Sequence, residues 1–341
     1  CPVPSRPRTM AVYTEVSDDE LRDFMREYNI GDVVSIKGIA EGVENSNYLL
    51  QTVTDSDTRP QSYILTLYEK RVRPEELPYF LGLMDHLASR GFSCPTPIHG
   101  RDGATLRELS GRPAAIVSFL SGMWPRKVTP QHCAELGGAM ARLHLAGADF
   151  DGYRDNNMSV SGWEKLVAAT QDRADEVVPG LSETIVGELE HIRENWPSDL
   201  PQGVIHADLF PDNVFFLGER LSGLIDFYFA CNDALAYDMA ICINAWCFEA
   251  DASLNITKAR ALLRGYASVR KLSQDEYDAI PALARGAALR FLLTRLYDWL
   301  NHDEAAFVRP KDPRQFLDRL RFHQQVDGPG AYGISFDDLN G

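Results

Sequence analysis

Hydrophobic periodicity changes once along this chain of 341 residues, near position 120, and that change limits the fold more than any other feature. Before it the pattern is mostly strand-like. Ser17-Asp18-Asp19-Glu20 reads as a capping box, with Leu21, Phe24, Met25 and Tyr28 behind it at helical spacing. Residues 33–39, 47–53 and 63–68 then read as strands, the last two joined by a polar loop over 54–61. A second helix starts near Pro74, with Leu77, Phe80, Leu81, Met84 and Leu87 on one face and Gly91 past its end. Strands over 105–109 and 113–120 follow, turning at Ser110-Gly111. Beyond Gly122 helices take over: one from Thr129-Pro130, then 181–196, 236–248, 257–269 and 273–301, the last opening on Ser273-x-x-Glu276. A single β segment, 203–227, interrupts them. The expected fold is α+β and two-lobed. Residues 10–120 supply a five-stranded antiparallel sheet with a helix after its third strand, and residues 121–341 a mainly helical lobe with an embedded β-hairpin. Residues 1–9 precede Met10 and read as a tag or upstream extension.

Charge and cysteine usage narrow the function. Lys+Arg number 34 against Asp+Glu 49, a formal net charge of −15, which argues against a nucleic-acid binder needing a basic footprint. No apolar run reaches the roughly 18 residues of a membrane span, and residues 1–9 lack the apolar core of a signal peptide. The six cysteines form no CxxC pair and no two histidines lie three or four apart, so structural zinc and a disulfide framework are not expected. A reducing, cytoplasmic setting follows as the expectation.

The chemistry concentrates in His206-Ala207-Asp208-Leu209-Phe210-Pro211-Asp212-Asn213. This fits the kinase catalytic-loop pattern H-x-D-L-x-x-x-N. Strands over 214–217 and 221–225 flank a turn at Gly218-Glu219-Arg220 and end in Asp226-Phe227. A hairpin there brings Asn213 and Asp226 to one base, where both can hold Mg²⁺ between phosphates while Asp208 faces an incoming hydroxyl. Protein kinases keep an Arg after the His and a Gly after Asp-Phe. Here Ala207 and Tyr228 stand instead and no A-P-E follows, which favours a small-molecule acceptor over a protein.

These residues resemble the aminoglycoside phosphotransferase/choline kinase-like family. The stretches Gly38–Tyr48, Tyr63–Lys70, Gly111–Leu120, Arg142–Ala146 and Ile241–Phe248 are similar to its homoserine kinase branch, and the likeness runs from about Met10 to Gln325. The resemblance implies a protein-kinase-like fold with ATP and Mg²⁺ as cofactors. It also implies transfer of the γ-phosphate to the side-chain hydroxyl of L-homoserine, giving O-phospho-L-homoserine on the way to threonine. Other readings keep the fold: a kinase for choline, an aminoglycoside or methylthioribose, or a degenerate nucleotide-binding protein.

Candidate residues follow. Asp208 is the expected base and His206 its orienting neighbour, with Asp238 bracing the loop. Gly42, Ser46 and Asn47 lie in or beside a loop suited to phosphates. Val117, Ser118 and Leu120 are the expected adenine hinge. The strand position where kinases carry a phosphate-binding lysine is Thr66, so Lys70 and Lys37 are the candidates, with Glu75 or Glu76 as partner. For a zwitterionic acceptor, Arg290, Thr294 and Asp298 form an i, i+4, i+8 line in which Arg suits a carboxylate and Asp an ammonium. Tyr228, Asn244 and Arg295 complete the acceptor set.

Overall fold

The computed structural model describes residues 14–39, 45–69, 73–302 and 309–340. The chain divides into two compact units, Cys1–Leu120 and Ser121–Gly341. In the first, α1 (Asp18–Met25) is capped reciprocally: the Ser17 hydroxyl accepts the Glu20 N–H while the Glu20 carboxylate accepts the Ser17 N–H. Its Leu21, Phe24 and Met25, with Tyr28, pack on Leu50, Leu65, Leu67 and Ile116 of the sheet. That sheet comprises β1 (Asp32–Gly38), β2 (Ser46–Thr54), β3 (Asp57–Leu67), β4 (Arg107–Leu109) and β5 (Arg112–Ser118). All its pairings are antiparallel, in the order β1-β2-β3-β5-β4, and α2 (Leu77–Ser89) is inserted after β3.

One expectation is corrected here. The polar run 54–61 is mostly strand, because Thr54 pairs with Asp57 and Thr52 with Gln61, leaving Asp55-Ser56 as the turn. Residues 58–61 are exposed, and a ladder standing in solvent needs no apolar alternation to persist.

The second unit holds α3 (Pro130–Ala146), α4 (Val160–Thr170), α5 (Leu181–Asn195), α6 (Leu235–Trp246), α7 (Ile256–Ala267), α8 (Gln274–Leu300), α9 (Arg314–Gln324) and α10 (Phe336–Asn340). Ser273 and Glu276 form the expected capping box of α8. The segment 203–227 is not one sheet. β6 (Gln202–Ile205) pairs with β9 (Cys231–Ala234), and separately β7 (Val214–Leu217) pairs with β8 (Arg220–Leu224). The sequence pattern missed β9, α4, α9 and α10. Helices α3 and α7 cross at glycines: a Cβ on Gly265 would stand 2.1 Å from the Ala134 carbonyl oxygen, and one on Gly137 2.1 Å from that of Leu262. No helix among the described residues is long and apolar enough to cross a membrane.

Candidate active site

The loop between β6 and β7 carries Asp208, and buried polar groups set its shape. Ala207 has φ +63°, a left-handed conformation that a non-glycine residue holds only when its surroundings require it. Three contacts provide that requirement. The N–H groups of His206 and Ala207 donate to the two oxygens of Asp238 on α6, at 2.8 and 2.7 Å. The Ala207 carbonyl accepts from Arg290 of α8 at 2.8 Å. Two residues further on, the Leu209 carbonyl accepts from the Trp246 indole at 2.6 Å. Asp238 is fully buried, and His144 Nε2 on α3 donates to it at 3.1 Å. These donors hold the Asp238 carboxyl below the usual range despite its burial.

His206 does not turn toward Asp208. Its Nε2 donates to the carbonyl of Ile225 at 2.9 Å, tying the loop to the end of β8, and burial keeps the ring neutral by lowering its pKa. Asn213 closes the other side. Its side-chain amide donates to the Asp208 carbonyl at 2.8 Å and to Asp208 Oδ2 at 3.1 Å, while its backbone carbonyl accepts from Ile225 at 3.0 Å. Asp226 follows Ile225 directly, at φ +64°. The hairpin therefore brings Asp208, Asn213 and Asp226 together.

The electrostatics of this group are unbalanced. Crowding by protein atoms and then the nearby Asp226 charge push the Asp208 carboxyl up to about 8, against the pull of Arg290. With the Asn213 N–H groups turned to Asp208, its side-chain oxygen is left as the donor for a cation beside the Asp226 carboxylate. An all-oxygen set with an adjacent second carboxylate suits a hard divalent cation. Among the described residues no group of three His, Cys, Asp or Glu side chains makes a metal cage. A cation here would complete its shell with oxygens from water or a bound ligand.

The remaining candidates fall in different places. Ser46 is buried, its hydroxyl donating to Glu69 at 2.7 Å and accepting from the Thr14 N–H at 3.0 Å. Asn47 accepts from Thr66 at 2.8 Å, so the lysine-equivalent position of β3 is filled by a hydrogen-bonded threonine. Gly42 and Lys70 lie outside the described residues, and Lys37 is exposed on β1. On β5, Val117 is buried and Ser118 bonds Thr96 through both its N–H and its hydroxyl, while Leu120 lies half-buried beyond the strand. Tyr228 is half-buried in the turn after Asp226, and Glu75 is exposed ahead of α2.

Two acceptor candidates are corrected. Asn244 is fully buried: its amide donates to the carbonyls of Ala240 and Ala284, and its oxygen meets His323 Nε2 at 3.1 Å. It belongs to the packing of α6, α8 and α9. Arg290 is 2 % exposed and lies over the Phe291 ring at 4.6 Å, so it meets the catalytic loop from inside rather than a ligand. Asp298, two turns on, is exposed. The sequence reading passed over Arg319, Lys311 and His144. Phe316, Leu317, Leu320 and His323 at helical spacing were the available signal for α9, which carries Arg319.

Comparison with known proteins bears on the family and the fold. Residues 35–272 match the model of the phosphotransferase enzyme family. The chain is 64 % identical over 331 residues to a homoserine kinase of Paramagnetospirillum magneticum, covering 95 % of this chain and all of that one. It is 60 % identical to a homoserine kinase of Rhodospirillum rubrum, over 96 % of this chain and all of the relative. Among solved structures, an amicoumacin kinase in complex with AMP-PNP, Ca²⁺ and Ami superposes with a TM-score of 0.64 at 14 % identity, covering 95 % of this chain and 97 % of its own. A choline kinase from Cryptosporidium parvum gives 0.64 at 15 % identity, covering 91 % and 95 %. The expected kinase-like α+β fold is thus present, and the chain belongs to the phosphotransferase enzyme family.

Proposed function

We propose that this protein transfers the γ-phosphoryl group of ATP to the side-chain hydroxyl of L-homoserine, yielding O-phospho-L-homoserine and ADP. The observation that carries the chemistry is the Asn213 amide bonded to Asp208 beside Asp226, at the base of the β7–β8 hairpin. The acceptor is taken from relatives that match nearly the whole chain at about 60 % identity and are named homoserine kinases.

Asn213, through its side-chain oxygen, and Asp226 would hold Mg²⁺. The ion supplies positive charge that neutralises phosphate oxygens and favours the ionised form of Asp208. Asp208 accepts the hydroxyl proton as the substrate oxygen bonds to the γ-phosphorus and the bond to the ADP oxygen breaks. The Asn213 amide fixes the orientation of Asp208, and Asp238 and Arg290 fix the backbone that presents it. His206 holds loop to hairpin and moves no proton. Ser46 and Asn47 contribute to nucleotide binding at the start of β2, and the β5 end at Val117, Ser118 and Leu120 meets the adenine. Five buried free cysteines, Cys94, Cys133, Cys231, Cys242 and Cys247, favour work in a reducing cytoplasm.

The test is ADP release with Mg²⁺ and ATP against homoserine, serine, choline, methylthioribose and kanamycin. Homoserine is expected to give the highest kcat/KM. Turnover of another member with none of homoserine would overturn the acceptor, and no turnover of any would overturn phosphotransfer.

A further inference from the structure

With Arg290 facing the loop backbone, the carboxylate of an amino-acid acceptor must be received elsewhere. Arg295 of α8 and Arg319 of α9 each lie 4.4 Å from the centre of one ring, Phe316. Phe316 is fully buried and packs on Phe291 at 5.3 Å and on Phe210 at 6.2 Å. Phe210 stands two residues after Asp208, so the ring bearing both guanidinium groups rests against the loop that carries the expected base.

Among the described residues neither arginine is in an ion pair. Arg295 Nη1 donates to neutral acceptors, the Gln315 side-chain oxygen at 2.9 Å and the Asp312 carbonyl at 3.4 Å. Arg319 adds a second ring, Phe248, at 5.6 Å. Among the described residues no carboxylate lies within ion-pair distance of either. Burial draws both guanidinium groups down to about 10, the Arg295 charge depressing Arg319 further, yet both stay charged at neutral pH. Two like charges, partly stripped of water and with no carboxylate paired to them among the described residues, make a site that an anion completes. The carboxylates acting on Arg295 are Asp212, Asp312 and Asp208, which sets Arg295 toward the Asp208–Asp212 end of the loop, with Arg319 beside it on the shared ring.

We infer that Arg295 and Arg319, stacked on Phe316, receive the α-carboxylate of the acceptor whose hydroxyl is presented to Asp208. This rests on the homoserine reading above. Guanidinium forks match a carboxylate, and the shared ring fixes their planes.

The experiment compares wild type, Arg319→Gln and Arg319→Lys on homoserine and on 3-amino-1-propanol, which keeps the hydroxyl and ammonium but lacks the carboxylate. Arg319→Gln is expected to raise the KM for homoserine about 10- to 100-fold, the size of one lost charge-assisted hydrogen bond. Its kcat/KM on aminopropanol and its KM for ATP stay unchanged, and Arg319→Lys recovers part of the loss. Equal losses on both alcohols with an unchanged urea midpoint, or a raised KM for ATP, would overturn the assignment, the latter by giving the pair to a phosphate. Wild type equally active on both alcohols would overturn it too while leaving phosphotransfer intact. Wild type that ignores homoserine but phosphorylates 4-hydroxybutyrate with the same Arg319 dependence would overturn the homoserine reading and support the carboxylate site.

Discussion

Arg290 Nη1 donates to the carbonyl oxygen of Ala207 at 2.8 Å, from a side chain that is 2 % exposed. Ala207 is the left-handed residue immediately before Asp208, so the guanidinium holds the strained peptide that aims the carboxylate. Arg290→Met keeps the length and loses the bond. We expect kcat to fall about 100-fold, the scale of a small misplacement at the reacting centre, with the KM for homoserine within about threefold. Steady-state kinetics check this. A large rise in KM at unchanged kcat would return Arg290 to the acceptor.

Asp208→Asn keeps shape and removes the proton acceptor. Turnover should fall by about 10³-fold, within the range of general-base losses, with ATP affinity held within a few-fold. Coupled ADP assays and calorimetry with a non-hydrolysable ATP analogue separate the two. Equal loss of both would make Asp208 a structural residue.

Stability should depend on pH through His323. Its Nε2 faces the Asn244 oxygen, whose own amide hydrogens go to backbone carbonyls, so the ring must donate there and accept from Tyr332 at Nδ1. The ring is neutral, and burial lowers its pKa to about 3. A group depressed on folding binds its proton in the unfolded chain first, so stability is intact above about 6.5 and declines as pH falls toward 3. His206 acts in the same direction, and Asp238 adds its loss below about 3.9. Unfolding free energies from urea titrations should change little above about pH 6.5 and fall below it with a slope approaching about 1.4 kcal/mol per pH unit for one such proton. His323→Gln should flatten that limb, and an unchanged slope would dismiss the assignment.

Gly265→Ala places a methyl against the Ala134 carbonyl, backbone that cannot rotate away. The crossing of α3 and α7 must open, at about 1–3 kcal/mol. Chemical denaturation measures it, and a neutral result would show that the helices slide freely.

Much of this molecule is legible in one dimension. The sheet with its inserted helix, the capping boxes at Ser17 and Ser273, and the loop-and-hairpin set Asp208, Asn213 and Asp226 rest on local spacing, and local spacing survives folding. Less legible are the strand over 57–61, whose ladder stands in solvent, and β9, a four-residue strand that exists only because β6 is beside it.

Helix α8 shows where sequence stops. Arg290, Thr294 and Asp298 read as one polar line, but each step of four residues rotates about 40° around the axis, so the line turns about 80° from first to last. Packed by α4, α6 and α9, the helix buries the first and exposes the last. The sequence by itself determined that Asp208, Asn213 and Asp226 come together, because loop and hairpin keep them within twenty positions of one another. Only the tertiary structure decided that Arg290 meets the loop from inside and that Arg295 and Arg319 share the Phe316 ring, because that depends on α8 and α9 packing against a loop some eighty or more residues earlier in the chain.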